Sequence, residues 1–492
     1  MTIAALSARA LGTMLADWRD TGPAYVALAE RICLLIVDGR IASETRLPAE
    51  RELSETLQLS RTTVSSAYRT LRERGFLRST QGSGSVSQIP AGQEARGATP
   101  RGLEAAPYDL TTACPPPWPG LRQLTERTLA EHPELFTEHG YDLLGTPELR
   151  AAIARRYTER GLPTEPENIM VTVGAQHAIG LLSRTLLRRG DRALIENPSY
   201  PHARDALIAA GARLTPLPVS TDDPTIGGEA GWDADQAVAL FRRASPALAY
   251  LIPDIHNPTG LSMPQETRER IIRAAEHEGT TLIVDETTAE LSHTAGPSPL
   301  PFAASAPPGR AGHIITLGSM GKTVWGGLRV GWIRATPHRI RRLVAARPAH
   351  DLGTPTIDQW VAMTALDSIT DILLYRSEQL AATNVAMRAA LAHHLPEWTL
   401  SPGRGGVCLW ANLGAPLSTA LTIAASSHGL LLTAGPRFGL DGAFERFLRV
   451  PLSMEPQEVE PLIVALAGAW HAVSGGRRAA EDPRGFPRID VV

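Results

Sequence analysis

Gly318-Ser319-Met320-Gly321-Lys322-Thr323 is the stretch on which the fold turns, because Lys322 is the only lysine in the chain. Lysine and arginine total 48, so the other 47 are arginine. A guanidinium supplies surface charge and phosphate contacts, but it is never deprotonated in proteins and cannot condense with an aldehyde. A primary amine can. The hexapeptide follows Ile314-Ile315-Thr316-Leu317, an apolar run that reads as a buried strand. A strand-to-turn exit is where α/β proteins place working groups. Lysine scarcity alone would leave a survivor anywhere, whereas this one stands at such an exit.

Working outward, 492 residues are too many for one ordinary domain, and 43% hydrophobic content is that of a globular chain with a large core. A net charge of -3 argues against a wholly basic nucleic-acid coat. Cys33, Cys114 and Cys408 are few, odd in number and far apart, giving neither a disulfide framework nor a metal cluster. A reducing, cytoplasmic compartment is expected. No stretch approaches the roughly 20 apolar residues that span a bilayer, and no secretory h-region is present, so neither export nor insertion is expected.

In the first ninety residues, Tyr25, Leu28, Ala29, Ile32, Leu35 and Ile36 recur at helical spacing. A short helix after Leu47-Pro48 turns Leu53 and Leu57 inward. Ser60 is placed to cap a third helix whose buried face is Val64, Ala67, Tyr68 and Leu71. Arg61-Thr62-Thr63 lies at its exposed start, where the second helix of a helix-turn-helix reaches bases and phosphates. Phe76 to Thr80 and Ser85 to Ser87 flank Gln81-Gly82-Ser83-Gly84 as a small hairpin. Residues 40 to 78 carry eight arginines against five glutamates, a local excess of three positive charges suited to phosphates. A helical bundle with a solvated charged face is the plainer alternative.

Leu47-Pro48-Ala49-Glu50-Arg51-Glu52-Leu53, Ser60-Arg61-Thr62-Thr63-Val64, Tyr68, Leu71 and Gly75 resemble the GntR-type winged helix-turn-helix. The resemblance implies double-stranded DNA as partner, contacted by Arg51, Ser60, Arg61, Thr62 and Thr63, with Gly82 at the wing tip. The expected organisation is a DNA-binding domain over residues 1 to 88, an Ala-, Gly- and Pro-rich linker over 89 to 108, a large domain over 109 to 474 and a disordered tail from 475.

From Asp109 onward, apolar runs alternate with amphipathic helices. Ile169 to Val173, Ala193 to Glu196, Leu248 to Ile252, Thr281 to Val284 and Ile314 to Leu317 read as buried strands of a mostly parallel sheet covered on both faces. Ligands of such sheets sit beyond the carboxyl ends of the strands. There stand Gly174-Ala175-Gln176, opening a helix; Tyr200, an aromatic ring; Asn257 in His256-Asn257-Pro258-Thr259-Gly260; Asp285-Glu286; and Arg329 in Trp325 to Trp332. Taken singly, each has an ordinary structural reading as turn, core ring or surface charge.

Together they resemble the fold-type I, aspartate aminotransferase-like domain, with a smaller C-terminal α+β subdomain and pyridoxal 5'-phosphate as cofactor. The resemblance implies an internal aldimine at Lys322 and pairing of Asp285 with the pyridinium nitrogen. Asn257 becomes a donor to the phenolic oxygen and Tyr200 the stacking ring, while Ala175, Gln176, Ser319 and Arg329 hold the phosphate. Arg449, in Phe447 to Pro451, would bind a substrate or effector carboxylate. One departure stands out: relatives place a tyrosine two or three residues after the aspartate, where this chain has Thr287 and Thr288. Thr287 stands in for that hydroxyl only in part, and efficient turnover is not expected.

A GntR-type reader joined to such a domain resembles the MocR class of transcriptional regulators. This implies a homodimer that senses an amino acid, an amine or the cofactor itself at Lys322. An active aminotransferase carrying a DNA module is the alternative. A large domain that only dimerises would leave the protein colourless. A nucleotide-binding P-loop around Gly321-Lys322-Thr323 is disfavoured, because the glycine needed six residues before the lysine is Thr316.

Overall fold

The computed structural model describes residues 5–481 apart from 16–17, 19–22, 38–40, 42–44, 81–83, 89–107, 138, 221–230, 295–298 and 441. The expected linker up to residue 107 and the wing tip at Gly82 therefore lie outside the described residues, while Tyr108, expected as its last residue, is part of a short strand. The chain forms two compact units, Met1–Pro107 with Asp441–Ala443, and Tyr108–Leu440 with Phe444–Val492.

In the first unit, helices Ala24–Val37, Glu50–Leu57 and Arg61–Glu73 precede an antiparallel hairpin of Leu77–Thr80 and Gly84–Ser87. The turn between the second and third of these helices passes through Gln58 in the left-handed region. Ser60 then caps the next helix by accepting from the Thr63 amide at 3.1 Å, which satisfies one of the orphan N–H groups of the first turn. Val64, Ala67, Tyr68 and Leu71 are buried on one face, as their spacing predicts. The Tyr68 hydroxyl does not strand a polar atom there, since it donates to Pro48 O at 2.9 Å. Leu28, Ala29, Ile32, Leu35 and Ile36 are buried in the first helix of the three, but Tyr25 is exposed. It lies in the opening turn, where the apolar stripe begins before there is a neighbour to cover it.

The second unit is built on a seven-stranded sheet in the spatial order Ile169–Thr172, Gly331–Arg334, Ile314–Ser319, Thr281–Asp285, Leu248–Leu251, Arg192–Asn197, Arg213–Pro218. The adjacent pairs from Ile314–Ser319 onward are all parallel, and only Gly331–Arg334 runs against its neighbours. Side chains on the strands divide with period two, as a pleated strand requires. Val171, Leu194, Ala249, Leu251, Leu282 and Val284 join one buried cluster, while Met170, Ala193, Ile195, Tyr250, Ile283 and Ile315 join the other. Both faces are thus covered, which is why these strands read as unbroken apolar runs.

The smaller part carries a three-stranded antiparallel sheet of Thr399–Leu400, Cys408–Asn412 and Phe447–Pro451. Helices Ile369–His394, Ser418–Ala425 and Pro456–Glu481 accompany it, giving the α+β subdomain expected. The last helix does not stop at residue 474, after which a disordered tail was expected. It runs on to Glu481, because Arg477-Arg478-Ala479-Ala480 are strong helix formers that offset the cost of Gly475-Gly476. Among the described residues, no helix is long and apolar enough to cross a membrane.

Candidate functional site

Six strands run one way, and their carboxyl ends meet the start of the reversed one at the same edge of the sheet. Gly331 pairs with both Thr172 and Ser319, so the start of the reversed strand lies beside the carboxyl ends of its neighbours and carries Arg329 there. The approach is too close for side chains. A Cβ on Gly331 would meet Gly174 C at 2.6 Å, and one on Gly174, at φ +75°, would meet Arg329 Nη2 at 2.8 Å. Arg329 Nη2 donates to Val173 O at 3.1 Å, which holds the guanidinium over the first turn of helix Gly174–Leu186. The N–H groups of that turn, beside Ser319, are of the kind that accept an anion.

A cavity of about 180 Å³ opens at this edge. Its walls bring together Ala175, Gln176, Tyr200, Asn257, Asp285, Thr287, Ser319, Lys322 and Arg329. Arg449 is outside that lining set. It is 7% exposed, lies 4.9 Å from the Phe438 ring centre, donates from Nη2 to Thr111 O at 2.6 Å, and leaves its Nε without a hydrogen-bond partner.

The middle of the cavity is polar and screened from solvent. Asp285 is buried, with Oδ2 accepting from the Tyr250 hydroxyl at 2.5 Å and Oδ1 from the Thr287 amide at 2.9 Å. Burial pushes its carboxyl up, and these hydrogen bonds oppose the rise. Burial likewise pushes the Lys322 amine down, with the Arg449 charge acting in the same direction. Tyr200 is pushed up to about 12, by burial first and then by the Asp285 charge. A lysine with a depressed pKa is a better nucleophile at neutral pH than an exposed one.

Asn257 is held by its loop. His256 N donates to Leu261 O at 2.8 Å, His256 Nδ1 meets Thr259 Oγ1 at 2.9 Å, and Ser401 Oγ donates to Thr259 O at 2.6 Å. Thr287 and Thr288 both line the cavity, but the Thr288 hydroxyl is committed to the loop, donating from Oγ1 to Ile255 O at 3.0 Å. Tyr250, Cys114 and the segment around Thr111 were not expected from the sequence. For Tyr250 a signal existed, because a phenol within a wholly buried strand needs a partner for its hydroxyl.

The cavity gathers an anion-binding helix start, an amine, an amide and a buried carboxylate. Those groups match the chemistry of a planar phosphorylated pyridine bearing an aldehyde. On the first unit, Arg51, Ser60, Arg61 and Thr62 are exposed and Thr63 is half-buried. Ser60 Oγ also contacts Thr62 Oγ1 at 2.8 Å and Thr63 Oγ1 at 2.7 Å. Arg51 pairs with Glu55 at 3.1 Å on the surface, an interaction that costs little to exchange for a phosphate.

Two family profiles match the chain: "Bacterial regulatory proteins, gntR family" over residues 24–86, and "Aminotransferase class I and II" over residues 136–466. The "Probable rhizopine catabolism regulatory protein MocR" of Rhizobium meliloti is 30% identical over 64% of this chain, and the match spans 66% of that protein, just short of two thirds. The "Uncharacterized HTH-type transcriptional regulator YdcR" of Escherichia coli is 27% identical, with 90% of this chain and 98% of that protein covered. Among solved structures, LysN, the α-aminoadipate aminotransferase of Thermus thermophilus, was crystallised with N-(5'-phosphopyridoxyl)-L-leucine. It superposes with a TM-score of 0.66 at 26% identity, covering 75% of this chain and 92% of LysN.

Proposed function

The chain belongs to the class I and II aminotransferase family and carries a GntR-type DNA-binding domain ahead of it, as MocR regulators do; from that premise we propose that it is a pyridoxal 5'-phosphate-dependent transcriptional regulator. Its large domain senses an amino acid or amine, and its winged helix reads DNA. The single observation carrying this reading is the convergence of the sole lysine, the buried Asp285 and the Arg329 cradle on one cavity.

The residues fit the coenzyme. Ala175, Gln176, Ser319 and Arg329 would hold its phosphate, Tyr200 would stack on the ring, Asn257 would donate to the phenolic oxygen, and Asp285 would keep a proton on the ring nitrogen. When bound, pyridoxal phosphate supplies an aldehyde and an electron-withdrawing ring. Lys322 provides the amine that holds it, and Arg449 offers its free Nε edge to a carboxylate. Thr287 reaches the cavity with a shorter side chain than a tyrosine, so it would donate to the phenolic oxygen less firmly than turnover demands. That favours sensing over efficient transamination.

Such a ligand switches DNA binding only if it favours one of two arrangements of the protein by a free-energy difference. Symmetric dimers would read paired half-sites. The test begins by selecting duplexes from a random library with the coenzyme-loaded protein. DNA affinity is then measured across a panel of amino acids and amines. At least one member should shift the affinity in the wild type and leave Lys322→Ala unmoved. Equal shifts in both would exclude sensing at Lys322. Sustained conversion of amino and keto acids under steady state would instead favour the aminotransferase reading.

A further inference from the structure

Residues 89–107 lead directly into a segment that lies across the candidate site. Tyr108–Asp109 pairs in parallel with Leu430–Leu431. Asp109 Oδ1 then accepts from the Thr111 amide at 2.9 Å and from Thr111 Oγ1 at 2.6 Å, a local turn that fixes where the following carbonyls point. Thr111 O takes the Nη2 of Arg449 at 2.6 Å, and Ala113 O takes the amine of Lys322. Cys114 Sγ donates to Gly321 O at 3.4 Å, Pro116 O accepts from Arg376 Nη2, and the Trp118 amide donates to Val324 O at 2.9 Å. Pro115-Pro116-Pro117 have no N–H, so the end of this stretch presents backbone acceptors only.

Two successive cations of the site are therefore met by carbonyl oxygens of one strand-like segment. A carbonyl offers a cation part of what a carboxylate offers, without the charge. Resting on the reading above, we propose that Asp109–Pro117 is a displaceable strap whose Thr111 carbonyl competes with the ligand's carboxylate for Arg449. Because a carboxylate brings a full negative charge and two oxygens that can take Nε and Nη2 of the guanidinium together, where a carbonyl offers one uncharged oxygen, a carboxylate ligand displaces Thr111 O, and the strap leaves its seat as the ligand enters. The strap thus sets ligand affinity by how firmly it is seated.

Asp109 is the positioning residue of this device. In the full-length, coenzyme-loaded protein, binding of L-leucine, L-glutamate and acetate would be followed by changes in the visible band. Asp109→Ala removes both bonds to Thr111, and these probes should bind about fivefold tighter, the equivalent of one ordinary hydrogen bond lost by the competitor. Asp109→Asn keeps an oxygen acceptor and should return to wild-type affinity. Thr111→Ala, which loses only the hydroxyl contact, should fall between and keeps the test open if Asp109→Ala folds poorly. Hydrogen exchange across residues 108–118 should quicken when a bound probe is added. Unchanged or weaker binding in both Asp109→Ala and Thr111→Ala, or exchange that stays slow with the probe bound, overturns the strap while the visible band preserves the coenzyme reading. Absence of any band in the wild type sinks that reading and the strap together.

Discussion

Replacing Asp285 by asparagine should weaken coenzyme binding by about 30- to 150-fold, or about 2 to 3 kcal/mol. The figure follows from the carboxylate's surroundings. Asp285 is 4% exposed, and two unit charges about 4 Å apart at an effective permittivity of about 20 attract by about 4 kcal/mol. Part of this is offset, because burial already disfavours the charged carboxylate and raises its pKa. The amide also forfeits something: its one oxygen cannot take both the Tyr250 hydroxyl and the Thr287 amide, so one donor is left facing an –NH₂. Titration of coenzyme-free protein with pyridoxal phosphate, followed by the visible band, gives both affinities directly. Asp285→Asn binding as tightly as wild type, with the same band, would refute the placement of the ring nitrogen at this residue.

Three further outcomes are expected. Arg61→Ala should lower DNA affinity across sequences and reduce the salt slope by about one, read from binding isotherms at several salt concentrations; an unaltered slope would remove Arg61 from the phosphate contacts. Ser60→Ala should destabilise the DNA-binding unit by about 1 kcal/mol through loss of the cap on Thr63, measurable by urea unfolding of the full chain. Glu286 is pushed up from 4.5 to about 7, chiefly by burial and against the pull of Arg160. Its folded form therefore holds the proton more tightly than its unfolded form, and stability falls as pH rises through that window, by about 3 kcal/mol in all. Melting curves between those two pH values should show the fall in wild type and a flatter profile in Glu286→Gln; parallel profiles would contradict it.

Much of the fold was legible because its strands are buried on both faces, so Leu248 to Leu251 and Ile314 to Leu317 appear as unbroken apolar runs. Arg213–Pro218 was missed because it is an edge strand that carries Pro216 and Pro218, residues an edge tolerates and a central strand does not. Gly331–Arg334 was missed because four residues beside a glycine-rich turn carry no period. The nine residues that share the cavity could be picked out because each stands close to a strand end, where the sheet topology collects them. The partner of Asp285 was not, since pairing of Tyr250 with it depends on two strands lying side by side. The strap was invisible for a different reason: its contacts are made by backbone carbonyls, which every residue has.

The central claim is that Lys322 holds the coenzyme where a ligand can reach it. The most direct measurement is the visible spectrum of the purified protein with pyridoxal phosphate, wild type beside Lys322→Ala, before and after addition of the amino-acid and amine panel. A band in the wild type that responds to at least one ligand, and no band in Lys322→Ala, is the predicted result. The same band in both proteins would contradict the account.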